Sequence, residues 1–122
     1  MLYNDLTEKI IKAAMSVHSA LGFGFMEKVY ENALMVELGH MGLDAQQQQP
    51  MQVYYRDRLI GDYVADIVVD NAVLLELKSV EHLNKVHEVQ LVNYLKSTSK
   101  EVGLPLNFGK PKLEFKRKVL HL

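Results

Sequence analysis

The chain has 122 residues, a hydrophobic fraction of 48% and no cysteine, a composition typical of one globular domain with a sizeable core. The lack of cysteine excludes disulfides, zinc–thiolate sites, iron–sulfur clusters and thiol nucleophiles, so any metal must be held by oxygen or imidazole ligands. The net charge of -1 conceals a division, since residues 1–77 carry -6 and residues 78–122 carry +5.

The sequence also predicts where the protein works. No apolar run reaches the roughly 18 residues that a membrane span needs. Residues 1–6 lack a charged segment followed by an apolar stretch, so we expect no secretion signal. We therefore predict a cytoplasmic protein without a membrane partner, in which residues 1–122 form a single domain.

Two helices are predicted first. Apolar residues at three- to four-residue spacing predict a helix over residues 5–20. A short loop with Gly22 and Gly24 follows, and a second helix then ends near Gly39 or Gly42.

The periodicity then changes to that of strands. After a polar lead at residues 46–49, three strands separated by turn signals predict a meander, and a helix and two more strands follow. The predicted order is ααβββαββ, an α/β fold. The predicted strands and third helix cover residues 51–55, 59–69, 73–78, 87–95 (the helix), 102–108 and 113–120.

Charged residues interrupt two predicted strands that are otherwise apolar. Asp66 lies in the second strand, and Glu76 and Lys78 lie in the third. A strand that is apolar on both faces normally lies in the centre of a sheet, where an unpaired charge is costly. These side chains therefore need ionic partners or a ligand.

Whether the three side chains meet depends on the turn between their strands. Residues two apart share a face of a strand, so Glu76 and Lys78 project together. A three-residue loop at residues 70–72, or a bulge, sets Asp66 opposite Glu76. A two-residue turn instead sets Asp66 opposite Leu75 and separates the two carboxylates onto opposite faces.

If the charges meet, two carboxylates and an ammonium group share one place. Carboxylates bind Mg²⁺, and a metal beside a lysine activates water and offsets phosphate charge, as phosphodiester hydrolysis requires. The alternative is a structural polar cluster in which Lys78 pairs with one carboxylate. A second triplet, Glu114-Phe115-Lys116, lies in a strand predicted to be amphipathic and solvent-facing. Only the apolar context separates the two triplets.

Two helices carry further candidates. His87, Gln90 and Tyr94 fall at i, i+3 and i+7 and line one face of the third predicted helix. Glu27 and Tyr30 belong to a Gly-x-x-Glu-x-x-Tyr pattern at the start of the second. Each residue taken singly also has a structural explanation, such as the helix dipole for the acid and packing for the tyrosines.

Together these motifs resemble the GxxExxY proteins of the PD-(D/E)XK nuclease superfamily. The resemblance implies a restriction-endonuclease-like core, with a mixed β-sheet flanked by helices. It covers nearly the whole chain and rests on residues 24–30, residues 63–66, Glu76-Leu77-Lys78, His87 with Gln90 and Tyr94, and Asn107-Phe108-Gly109.

The resemblance also implies a division of roles. Asp66 and Glu76 would be ligands of Mg²⁺ or Mn²⁺, and Glu27 would contribute a further acid to the metal, directly or through water. Lys78 would orient or deprotonate the attacking water and stabilise the developing negative charge. Gln90 would assist at the catalytic site. The iron–sulfur cluster that some relatives bind is excluded, because the chain has no cysteine.

Other residues are candidates for contact with the nucleic acid. Tyr94 completes a Gln-x-x-x-Tyr element that shapes the site or holds nucleic acid in related nucleases, and His87 and Tyr30 are further candidates. The basic tail that contains Lys116 and Arg117 offers positive charge to phosphates. Alternating apolar and charged residues in that tail equally fit a solvated strand face.

The sequence therefore predicts a Mg²⁺- or Mn²⁺-dependent nuclease that hydrolyses phosphodiester bonds in DNA. The basic tail also supports an alternative, a non-catalytic nucleic-acid-binding or assembly module that retains the nuclease fold. A structural or oligomer-forming subunit is a third interpretation. The domain has no insertion for reading DNA sequence, so a second copy or a partner protein would supply specificity.

Overall fold

Two helices begin the chain, as the sequence predicts. The computed structural model describes residues 3–120, so the first two residues of the segment 1–6, in which we expect no secretion signal, lie outside the described part. Helix α1 covers Asn4–Leu21 and α2 covers Glu27–His40, close to the predicted bounds. No helix within residues 3–120 is both long and apolar enough to cross a membrane.

Strands make up most of the remainder, with one helix among them. The predicted third helix is confirmed and extends further in both directions. The elements are β1 (Ala45–Tyr55), β2 (Arg58–Val69), β3 (Val73–Lys78), α3 (Lys85–Thr98), β4 (Val102–Asn107), β5 (Glu114–Phe115) and β6 (Lys118–Val119).

The strands form one mixed sheet in the order β1-β2-β3-β4-β5, with β6 also paired to β4. Strands β3 and β4 are parallel, and α3 provides the crossover between them, whereas the other pairs are antiparallel. Helices α1 and α2 pack on one face of the sheet and α3 packs on the other. The predicted fold class is confirmed, and β3 is a central strand, as its apolar sequence predicts.

Two strand predictions need correction. Residues 46–49 form part of β1 and not a lead into it, because strand pairing uses the backbone and tolerates polar side chains. The last predicted strand, residues 113–120, is divided into β5 and β6, which pair with β4 in a single register. The gap lies opposite Pro105, whose carbonyl accepts from Lys116 N–H at 3.3 Å. Proline has no N–H to return that bond, so the ladder is interrupted there.

Candidate active site

The turn between β2 and β3 decides where Asp66 lies. The ladder pairs Val69 with Val73 and Ile67 with Leu75, so three residues form the loop. The same register carried one residue further sets Asp66 opposite Glu76. The odd-length loop, the alternative that brings the two carboxylates together, is therefore confirmed.

The backbone pairing of β2 with β3 ends at Ile67. Beyond that residue, side-chain hydrogen bonds connect the two strands. Asp66 accepts a hydrogen bond at Oδ2 from the N–H of Leu77 at 2.8 Å. The hydroxyl of Tyr63 donates to Oε1 of Glu76. Among the described residues, each carboxylate thus accepts one hydrogen bond, just beyond the last paired residues of β2 and β3.

Negative charge in this place is incompletely compensated. Burial, together with the charge of the nearby Asp66 carboxylate, raises the pKa of Glu76 to about 7, although the hydrogen bond from Tyr63 and the charge of Lys78 oppose the rise. Burial also raises the pKa of Asp66, although the hydrogen bond from Leu77 opposes it. A bound cation would relieve both carboxylates.

A small cavity of about 30 Å³ opens beside Glu76, which is room for about one or two water molecules. The Nδ1 atom of His87 is buried and has no hydrogen-bond partner within residues 3–120. Glu76 and Lys78 of β3 line this cavity together with the α3 residues that the sequence placed on one helix face. The full lining consists of Glu76, Lys78, His87, Gln90, Leu91, Tyr94 and Pro105.

Sequence reasoning gave Tyr63 no role. Its ring stacks on Tyr94 with 3.6 Å between centroids, and its side chain joins β2 to both β3 and α3. If side chains alternated strictly along β2, Tyr63 and Val68 would point to opposite faces of the sheet. Tyr63 and Ala65 pack on the same face as Val68, so the alternation is broken between residues 65 and 68. Only the motif at residues 63–66 signalled this position.

Two acids of α2 lie near the carboxylate pair. Glu27 is exposed at the first position of the helix, and its charge raises the pKa of Asp66 and Glu76. Within residues 3–120, no three His, Asp or Glu side chains gather as a group that could hold a metal. Sequence reasoning missed Glu31, a buried acid whose charge also acts on Asp66. Its carboxylate accepts hydrogen bonds from Lys28, Gln47 and Gln48.

Comparison with known proteins agrees with this geometry. A sequence profile described as the PD-(D/E)XK nuclease superfamily matches residues 4–118. The chain belongs to the PD-(D/E)XK nuclease superfamily. None of the curated proteins compared with the chain matches it.

A solved structure supports the same fold. The crystal structure of SSO0001 is similar to this chain, with a TM-score of 0.61 and 17% sequence identity. The similarity covers 98% of this chain and 61% of that one. This PD-(D/E)XK chain thus spans about three fifths of the length of SSO0001.

Tyr30 has a different place from the one predicted. It is completely buried and stacks on Phe108 with 4.6 Å between ring centroids. Its hydroxyl donates to the carbonyl of Gly22 at 2.6 Å and accepts from the N–H of Phe25 at 3.2 Å. This placement leaves it no surface for contact with nucleic acid. Tyr30 instead holds the loop that leads to Glu27.

The basic tail is partly engaged within the protein. Lys118 pairs with Glu88 at 2.6 Å, and Lys110 lies 3.7 Å from a carboxylate oxygen of Glu114. Arg117 donates from Nε to a threonine hydroxyl of α1 at 3.4 Å. Lys116 is exposed. Of the two tail residues predicted to contact nucleic acid, Lys116 is therefore the more accessible.

The carboxylate oxygens of this PD-(D/E)XK site suit a hard divalent cation. Oδ1 of Asp66 and Oε2 of Glu76 accept no hydrogen bond from residues 3–120. Mg²⁺ is commonly bound by one or two carboxylates and completes its octahedron with water. The two carboxylates each offer one such oxygen, which meets that requirement.

Proposed function

We propose that this PD-(D/E)XK protein is a nuclease of the GxxExxY group that hydrolyses phosphodiester bonds in DNA with the help of Mg²⁺ or Mn²⁺. One observation carries the proposal. Just beyond the last paired residues of β2 and β3, Asp66 accepts from the N–H of Leu77 and lies close enough to Glu76 for its charge to raise the pKa of that carboxyl, and Lys78 lies two residues further along the same central strand. The match to a nuclease superfamily supports this assignment of the chemistry.

Asp66 and Glu76 would hold the metal, each with an oxygen that accepts no hydrogen bond from residues 3–120. When bound, the metal lowers the pKa of a water and offsets charge on the phosphate. Lys78 donates to the attacking water or to a phosphate oxygen and so stabilises the negative charge that develops in the transition state. Gln90 lines the same cavity and orients the water. Glu27 would contribute a further acid to the metal, directly or through water.

The substrate lies along the α3 side of the site. Tyr94 and His87 line the cavity next to Glu76, so a strand of DNA that reaches the carboxylates also reaches them. Lys116, which is exposed, and Arg117 contribute positive charge near the phosphates. The protein works in the cytoplasm, and a second copy or a partner protein supplies sequence specificity.

The test is cleavage by the purified chain. Plasmid, linear duplex, single-stranded DNA and RNA are incubated with Mg²⁺, with Mn²⁺ or with a chelator. We expect metal-dependent cleavage of DNA, and a loss of about 100-fold or more in Asp66→Asn, which removes a ligand charge. Asp62→Asn is the matched control, because Asp62 is an exposed residue of the same strand.

Two results would contradict the proposal. One is an absence of cleavage by the unmodified chain under every condition. The other is equal cleavage by Asp66→Asn and Asp62→Asn. Salt-dependent binding of DNA without any cleavage would favour the non-catalytic binding module instead.

A further inference from the structure

We infer that Tyr63 limits Glu76 to a single metal-binding oxygen, and that this restriction makes the site selective for Mg²⁺ or Mn²⁺ over Ca²⁺. The inference deepens the proposed function and rests on it. It gives a specificity role to a residue whose ring contributes no metal ligand.

The hydroxyl of Tyr63 occupies one of the two oxygens of Glu76. It donates to Oε1, and no donor within residues 3–120 reaches Oε2. The tyrosine is only 7% exposed, and its ring stacks on Tyr94 at an interplanar angle of 11°. The hydroxyl is therefore held in position by the burial of the ring and by its stacking on Tyr94.

Asp66 is restricted in the same way. Its Oδ2 accepts from the backbone N–H of Leu77 at 2.8 Å. That donor belongs to the central strand β3 and cannot move independently of the sheet. Of the donors in residues 3–120, none therefore reaches Oδ1 of Asp66 or Oε2 of Glu76, so each carboxylate presents one available oxygen.

This arrangement suits a small cation better than a large one. Ca²⁺ takes about six to eight oxygens and is often bound by both oxygens of one carboxylate, whereas Mg²⁺ keeps an octahedron that includes several waters. No third His, Asp or Glu within residues 3–120 joins the pair closely enough to raise the number of protein ligands. Without the hydroxyl of Tyr63, Glu76 gains a second free oxygen for Ca²⁺.

The experiment compares Tyr63→Phe with Tyr54→Phe. Both changes remove one hydroxyl and keep the ring, but Tyr54 is 57% exposed and donates to Gln52 on β1. Isothermal titration calorimetry without DNA gives the Kd values for Mg²⁺, Mn²⁺ and Ca²⁺, and circular dichroism checks folding. We expect the ratio of the Ca²⁺ Kd to the Mg²⁺ Kd to fall about tenfold in Tyr63→Phe. Tyr54→Phe should leave the ratio unchanged.

A second measurement needs no variant. Crystals of the unmodified chain grown with Mn²⁺ should show one oxygen of Glu76 on the metal and the Tyr63 hydroxyl on the other. An unchanged ratio in folded Tyr63→Phe, or two Glu76 oxygens on Mn²⁺, would overturn the inference and leave the proposed nuclease intact. Failure of the unmodified chain to bind any divalent cation would overturn the metal-dependent function itself.

Discussion

The chain contains the same Glu-x-Lys pattern twice, in very different surroundings. Glu76 and Lys78 lie in β3 at the centre of the sheet, and burial raises the pKa of Glu76 to about 7. Glu114 and Lys116 lie at the sheet edge, where a hydrogen bond from Asn107 lowers the pKa of Glu114. Identical residue spacing therefore leads to opposite electrostatic outcomes.

The difference lies in how completely each carboxylate is satisfied. Glu114 accepts from the N–H of Leu83 at 3.0 Å and from the amide of Asn107 at 3.1 Å, and a lysine ammonium lies nearby. Within residues 3–120, Glu76 accepts one hydrogen bond, from Tyr63, and the charge of the nearby Asp66 acts on it. The proposed metal site therefore depends on the second carboxylate near Glu76 and on the small number of hydrogen bonds that Glu76 accepts from residues 3–120.

The largest expected effect is a difference in cleavage rate between variants of Lys78 and Lys116, the lysines of the two triplets. Lys78→Ala should reduce the cleavage rate by about 10²- to 10⁴-fold, because the ammonium that stabilises the transition state is lost. Lys116→Ala should reduce it by about threefold or less at moderate salt, since an exposed lysine contributes mainly to phosphate attraction. Initial rates on plasmid DNA measure both. Similar losses in the two variants would show that the triplets do not differ in function.

A second prediction concerns the residue that joins the two regions. The buried Asn107 holds Val80, just beyond the first triplet, through both its amide and its carbonyl oxygen, and it also bonds Glu114 and the N–H of Gly109. Asn107→Ala should lower the free energy of unfolding by about 2–4 kcal/mol. Urea denaturation measures the loss, and Asn93→Ala, an exposed change in α3, should alter it by about 0.5 kcal/mol or less. Equal values would show that this network adds no stability.

A third prediction uses the pKa of Glu76. Its pKa in the folded protein, about 7, lies above the ordinary value of 4.5, so between these pH values the folded state binds more protons than the unfolded state. Glu76 therefore lowers the stability of the metal-free protein as the pH rises through that window. Glu76→Gln removes the charge and should raise the free energy of unfolding at pH 8 by about 1–3 kcal/mol.

The same substitution at Glu114, in the edge triplet, should change the free energy of unfolding in the opposite direction and by a smaller amount. The pKa of Glu114 is lowered, so its contribution to stability is present above the ordinary value and is lost as the pH falls through the lowered one. Glu114→Gln should cost about 0.5–1 kcal/mol at pH 8 and nothing in strong acid, because the partly solvated carboxylate interacts weakly. Denaturation curves at pH 8 and in strong acid measure the free energy of unfolding of Glu76→Gln and Glu114→Gln. Changes of the same sign in the two variants at pH 8 would contradict the prediction.

Much of the framework was predictable because it depends on local patterns. The apolar periodicity of α1 and the unbroken apolar run of β3 indicated a helix and a central strand, and both are confirmed. The division of the last predicted strand was not anticipated, because it arises from Pro105, which lies opposite the gap only in the folded sheet. The buried acid Glu31 was missed for a similar reason, since its glutamine partners come from a strand that follows later in the chain.

The sequence by itself determined that Asp66, Glu76 and Lys78 are charges in apolar strands, and it restricted the possible registers to two. The tertiary structure decided between those registers through the loop at residues 70–72. It also placed Tyr63 against Glu76 by breaking the alternation of β2. The physical reason is that alternation records which face each residue occupies within a regular strand, whereas loop length and strand irregularity decide which faces of different strands meet.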